Sequence, residues 1–156
     1  MKPPITILVD ADACPVKEEV YRVARRYQVP VRLVSNSYLR MTGEPLIELV
    51  VVGAGFDAAD DWIVERADAA SIVVTTDILL ADRCLKQGAT VIAPSGRPFD
   101  AASIGNAVAQ RALMADLRAM GEVSGGPAPF AKADRSRFLS ALDEAVNRLK
   151  RRASLF

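Results

Sequence analysis

Five short apolar runs rich in Val and Ile recur along the chain, at residues 5–9, 31–35, 47–53, 71–75 and 90–93, and they leave few folds open. Runs of this length and β-branched content, without strict polar alternation, read as strands buried on both faces. Between most of them the apolar period changes to that of a helix. Val16, Val20, Val23, Ala24 and Tyr27 fall on one face, as do Ala59, Ile63 and Ala67, and Leu79, Leu80 and Leu85 support a short third helix. Strand and helix in alternation predict an α/β fold, a three-layer α/β/α arrangement around a mostly parallel central sheet.

Two connections break the alternation. The stretch from Asn36 to Pro45 is too short and too polar for a crossover helix and reads as a loop with at most one turn. After Pro94, the segment SGRPFDAAS reads as a second loop leading into a long helix from about Ala102 to Met120. A Gly/Pro-punctuated connection, GEVSGGPAPFAKA, follows, and Asp134 is placed to cap a last helix that ends in Lys150, Arg151 and Arg152. With 156 residues, 51% of them hydrophobic, the chain is the size of one domain with a full core, and a single domain over residues 1–156 is expected. The start, MKPPITILVDADA, lacks the pattern of a signal peptide, and no run approaches the roughly 20 apolar residues that span a bilayer. A cytoplasmic protein with no membrane partner is the expectation.

Aspartates gather where the strands end. Asp10 and Asp12 follow the first run, Asp57, Asp60 and Asp61 the third, and Asp77 the fourth, with Asp82 five residues further on. In a parallel sheet these exits share one edge, the edge where ligands collect. Each cluster also precedes a helix, so Asp12, Asp57 and Asp77 could be simple N-caps, and Asp60 and Asp61 could complement a helix dipole. Three clusters at one edge repel one another, however, unless a cation or proton intervenes. Oxygen ligands suit Mg²⁺ or Mn²⁺, while softer metals lose their usual ligands, because the chain has no histidine and only two cysteines, Cys14 and Cys84, far apart in sequence. The missing histidine also removes Ser-His-Asp and Cys-His chemistry. Both thiols read as reduced. Cys14 lies inside the acidic loop, where a catalytic thiol is conceivable, but a thiolate needs a cationic neighbour, and packing as a small buried side chain is the favoured role.

The net charge of +1 conceals a division. Residues 1–100 hold 11 Lys and Arg against 14 Asp and Glu, and residues 101–156 hold 9 against 5. An acidic centre with a basic flank suits a phosphate backbone, although ordinary surface charge gives the same division.

The segments VDADACPVKEEV, GFDAADDWIVERA, VVTTDILLADRC and GGPAPF followed by DRSRFL resemble, in that order and over nearly the whole chain, the bacterial YaiI/YqxD family. That family is in turn similar to PIN-like nuclease domains, which carry an aspartate after the first strand, an acidic helix start often reading EADDVI, and an aspartate after the fourth strand. Asp10, the Asp60-Asp61 step and Asp77 match these. Ala58 stands where the helix motif opens with glutamate, and Asp57 is its possible substitute. The resemblance implies a PIN-like fold and a nuclease that hydrolyses phosphodiester bonds, on RNA ahead of DNA, with one Mg²⁺ or Mn²⁺. It implies Asp10, Asp60, Asp61 and Asp77 as metal ligands and Asp10, Asp12, Asp61 and Asp77 as the catalytic set, Asp12 orienting or deprotonating the nucleophile. A homodimer is also in keeping with related domains.

Candidate phosphate donors follow the second and fifth runs: Asn36, Ser37 and Arg40, then Ser95, Gly96 and Arg97, with Arg135 and Arg137 beyond the GGP segment. Turn formation is the plain alternative, above all for Gly96. Trp62 and Phe130 could stack on a base, although Trp62 adjoins the core face of its helix. Two other functions compete. ILVDADA matches the DxD signature of haloacid-dehalogenase-like phosphatases, with Asp10 as covalent nucleophile, but no lysine stands at a later strand exit. A non-catalytic nucleic-acid-binding module that retains a cation site is the other.

Overall fold

The computed structural model describes residues 4–53, 55, 57–106, 108–110 and 130–154. Strands β1 (Thr6–Asp10), β2 (Val31–Ser35), β3 (Ile47–Val51), β4 (Ser71–Val74), β5 (Thr90–Ile92) and β6 (Pro98–Phe99) form one sheet in the order β3-β2-β1-β4-β5-β6. The first five are parallel and β6 is antiparallel to β5. The five apolar runs therefore each become a strand. The helices are α1 (Lys17–Tyr27), α2 (Ala58–Arg66), α3 (Ile78–Lys86) and α4 (Lys132–Ser154), and a 3₁₀ turn, Ala11–Ala13, follows β1.

Alternation along the central strands sorts the core into two layers, because successive strand side chains point to opposite faces. Ile7, Val9, Val31, Leu33, Ile72, Val74 and Ile92 face α1 and α4 in one apolar cluster. Leu8, Val34, Val73 and Val91 face α2 and α3 in the other, which also takes in Ile104. The sheet is thus covered on both sides, the three-layer arrangement expected of continuous Val/Ile runs. Val16, just ahead of α1, and Val20, Val23 and Ala24 on it are buried, as are Ala59, Ile63 and Ala67 on or beside α2, as their spacing predicts. On α3 the buried face is Leu80, Ala81 and Cys84, while Leu79 is 47% exposed. Helix α4 buries Phe138, Leu142, Ala145, Val146 and Leu149, a helical stripe laid against α1. A polar clasp closes that contact: Tyr27 Oη donates to Asp143 at 2.9 Å, and Asn147 donates to both, at 3.0 and 2.9 Å.

The segment after Pro94 differs from the expected loop. Ala93 N donates to Arg97 O at 2.9 Å and Gly96 N to Ala93 O at 2.8 Å, so the chain reverses and Pro98–Phe99 pairs with Val91 and Ile92 as a short edge strand. Gly96 permits the reversal at φ +89°. Proline is tolerated there because the strand lies at the edge of the sheet. The connection between β2 and β3 is the predicted loop, without a helix. The helix expected over residues 102–120 is seen at 104–106 and 108–110; its remainder and most of the Gly/Pro connection lie outside the described residues. Asp134 does serve the start of α4, from inside the first turn: its carboxylate accepts Ala131 N at 2.9 Å.

Candidate functional site

Strand β1 has β2 on one side and β4 on the other, so the chain leaves the sheet centre in one direction and returns in the other. This is the topological switch point, and the exits of β1, β2 and β4 open around it. Asp10 ends β1 and is half-buried. Its Oδ2 accepts from Thr75 Oγ1 at 2.9 Å, and the same hydroxyl oxygen accepts Asp77 N at 3.0 Å. Asp12, in the 3₁₀ turn, is held from the opposite side: Ser35 Oγ donates to Oδ1 at 2.6 Å and Asn36 N to Oδ2 at 3.0 Å. Two buried hydroxyls, Ser35 and Thr75, at the exits of the two strands that flank β1, thus each fix one carboxylate of the DAD segment.

The capping alternative holds for one aspartate. Asp77 caps α3, Oδ1 accepting Leu79 N at 2.9 Å and Leu80 N at 3.2 Å. Asp57 occupies the N-cap position of α2 and makes no side-chain capping bond, and neither does Asp10 before the 3₁₀ turn. Asp60, in the first turn of α2, faces the other carboxylates. Burial, then the charges of Asp77, Asp10 and Asp57, push its pKa up to about 6, against a small opposing effect of Arg83. Asp10 is also raised, chiefly by burial and further by Asp77 and Asp12, with the Thr75 hydrogen bond acting in the other direction. Asp61, its neighbour in the Asp-Asp step, is exposed and paired with Arg83 at 2.9 Å. Asp82 pairs with Lys86 at 3.0 Å.

Asp10 therefore lies within electrostatic reach of Asp12 and Asp77, and Asp60 within reach of Asp77, Asp10 and Asp57, while Asp61 and Asp82 are engaged by cations of α3. Among the described residues no group of three acidic or thiol side chains stands close enough to hold a metal ion by itself. The donor set is nonetheless all hard oxygen, and it fits an ion such as Mg²⁺ that takes one or two carboxylates and keeps most of its water.

The other candidates separate likewise. Asn36 and Ser37 are exposed, and their backbone N–H groups bond inward, to Asp12 and to Ser35 Oγ. Arg40, in the connection from β2 to β3, and Arg97, in the turn between β5 and β6, are both exposed. Arg135 spans helices: it donates to Pro15 O at 2.7 Å and Glu19 at 3.2 Å and lies over the Phe130 ring, 4.9 Å from its centroid. Arg137 pairs with Asp134. Trp62 packs in the second core layer with Arg66 over its ring at 3.9 Å, in line with a packing role. Cys14 and Cys84 are buried and free, and burial raises both thiols, Cys84 to about 12. Ser35 and Thr75 are not among the residues that the acidic pattern singles out, although a hydroxyl closing an otherwise apolar strand is a signal that its group has a partner.

The comparisons fit the four segments noted in the sequence. A family model described as "Uncharacterized BCR, YaiI/YqxD family" matches residues 8–148. The chain belongs to the YaiI/YqxD family. A UPF0178 protein of Sphingopyxis alaskensis is 70% identical over 146 residues, covering 93% of this chain and 95% of that protein. UPF0178 proteins of Bradyrhizobium diazoefficiens and Rhodopseudomonas palustris are each 59% identical, over 96% and 94% of this chain and 89% and 92% of theirs. No solved structure matches the chain. No helix among the described residues is long and apolar enough to cross a membrane.

Proposed function

We propose that the protein is a divalent-metal-dependent nuclease, with Asp10 and Asp77 as the carboxylates that would hold Mg²⁺ or Mn²⁺ and Asp60 holding it through water. The observation that carries this reading is Asp60. A carboxylate raised to about 6 by burial and by three other aspartates, at the switch point of a parallel sheet, is an arrangement that costs stability and is relieved by a cation. When bound, such an ion supplies Lewis-acid chemistry, polarising a phosphoryl oxygen and making water acidic enough to attack at neutral pH. The protein's own groups do the positioning. Asp77 uses Oδ1 to cap α3, and Thr75 fixes Asp10 by Oδ2, so each keeps its second oxygen for the site. Asp12, with both oxygens accepting hydrogen bonds, orients the β1 and β2 exits. Asp61, paired with Arg83, adds charge at the rim. Arg40 and Arg97 bind substrate phosphate, and RNA is favoured over DNA.

The test is cleavage of labelled RNA and DNA strands with Mg²⁺ or Mn²⁺, by wild type and by Asp10→Asn and Asp77→Asn. Asparagine is also a good N-cap, so Asp77→Asn keeps α3 intact. Cleavage by wild type that both folded variants lose is the expected result. Absence of cleavage by wild type under both metals overturns the reading. Metal-dependent stabilisation without cleavage would point to a binding module, and a phosphoenzyme on Asp10 to a phosphatase.

A further inference from the structure

Among the described residues the large hydrophobic side chains that stand exposed are Tyr38, Val51, Leu79 and Phe130. All lie at the edge that carries the aspartates. Val51 ends β3, Leu79 lies in the first turn of α3, Phe130 precedes α4 beneath an arginine that bonds Pro15 ahead of α1, and Tyr38 follows β2. Tyr38 is the most exposed, at 77%, and it is held on a pinned segment. On its N-terminal side, Asn36 N bonds Asp12 and Ser37 N bonds Ser35. On its C-terminal side, Leu39 and Met41 pack into the core, and Glu44 receives a two-pronged hydrogen bond from Arg25. Leu39 and Met41 turn inward while Tyr38 and Arg40 stay in solvent, the alternation of an extended strand-like segment. The chain thus holds an aromatic ring and a guanidinium on one outward face, two residues beyond a backbone N–H that touches Asp12. Such a ring has surrendered its backbone freedom and yet stays mostly in solvent.

We propose that Tyr38 is a stacking platform for a base of a single-stranded polynucleotide, with Arg40 taking the adjoining phosphate. The inference rests on the nuclease reading for its choice of ligand and specifies which form of substrate that site takes. Bases of any identity stack on an aromatic face, and a flexible single strand can splay one out, whereas a duplex keeps its bases stacked on each other. The nearby Asp12 and Asp10 would repel a bare phosphate, so a contact made through the base together with a cationic side chain is what brings a strand past them.

The experiment is fluorescence anisotropy with a labelled single strand about 12 nucleotides long, as RNA, as DNA, as an abasic strand of equal charge and as a duplex, in EDTA to suppress metal-dependent cleavage. Tyr38→Ala is expected to weaken binding of both base-bearing single strands by about 5- to 150-fold and to leave the abasic strand unchanged. Tyr38→Phe retains the affinity, and Arg40→Gln lowers the salt slope by about 1. An equal affinity of wild type and Tyr38→Ala for base-bearing strands, or a preference for the duplex, overturns the stacking role even if metal-dependent cleavage is found. Wild type that binds in this base-dependent way yet never cleaves overturns the nuclease reading and leaves the platform standing. Wild type that binds none of the four overturns the stacking platform, and the nuclease reading then stands or falls on the cleavage assay with Mg²⁺ or Mn²⁺.

Discussion

Replacing Thr75 by valine removes one hydroxyl that serves two partners. It is buried, donates to Asp10 Oδ2 at 2.9 Å and accepts Asp77 N at 3.0 Å. Valine keeps nearly the same shape, so the change is mainly one of hydrogen bonding. Losing a bond to a charged acceptor costs about 1.5–3 kcal/mol, and an N–H left without an acceptor costs about 1–3 kcal/mol more. Asp10 is only half-buried, so water replaces part of its lost donor and a total of about 2–4 kcal/mol is expected. In a domain of this size each kcal/mol moves Tm by about 2–4 °C, giving a fall of about 5–15 °C. The loss also depends on pH. The folded carboxyl of Asp10 already lies above its ordinary value, and the Thr75 bond is what restrains it. Without that bond it rises further. A carboxyl raised in the folded state makes the folded protein the better proton binder, so its destabilising effect is absent at acid pH and grows as pH rises through the folded value. The gap between Thr75→Val and wild type should therefore widen from acid to neutral pH and then level off. Urea unfolding across about pH 4 to 8 measures it, and Thr75→Ser, which keeps the hydroxyl, should recover most of the loss. A gap below about 0.5 kcal/mol, or one that is the same at every pH, would refute the view that this hydroxyl holds a charged Asp10.

Further outcomes follow from other contacts. Asp60→Asn should raise Tm at pH 7.5, because the wild-type carboxyl near 6 is charged there at a cost; the gain should fade as pH drops through about 6, and thermal melts at pH 7.5 and 4.5 compare the two. Gly96→Ala would set a Cβ 2.6 Å from Arg137 C and 2.7 Å from Phe138 N, on the backbone of α4, at φ +89°. It should cost about 2–5 kcal/mol, whereas Gly43→Ala, at φ +80° with nothing within 4 Å, should cost only the backbone part, about 1–2 kcal/mol; similar losses in denaturant titrations would mean that α4 yields freely. Tyr27→Phe should cost about 1–2 kcal/mol by leaving Asp143 and Asn147 one partner short, and an unchanged urea midpoint would count against the clasp between α1 and α4.

The strands, the covering helices and the carboxyl-edge position of the aspartates were legible in the sequence, because period and strand order along the chain are local properties: Ile7 and Val9 alternate with Leu8, and Val16 to Ala24 repeat at helical spacing, whatever they later pack against. The partners of each aspartate were not legible. Asp57, Asp60, Asp61 and Asp77 all precede or open a helix and look alike as caps, yet Asp77 alone of them caps by its side chain, Asp61 turns to Arg83 on the next helix, and Asp60 turns to the switch point. Two residues adjacent in a helix lie about 100° apart around its axis, and which of them meets the neighbouring strand exits depends on how α2 is rotated on the sheet. The two-residue strand Pro98–Phe99 was hidden for a related reason, since its ladder exists only where the turn at Gly96 returns the chain to β5. The sequence by itself therefore determined the layers, the parallel sheet and the acid-rich edge, through short-range periodicity. Tertiary structure alone decided that Thr75 and Ser35 hold Asp10 and Asp12, because those bonds join residues 65 and 23 positions apart, and hydrogen bonds act over ångströms in space whatever the separation along the chain.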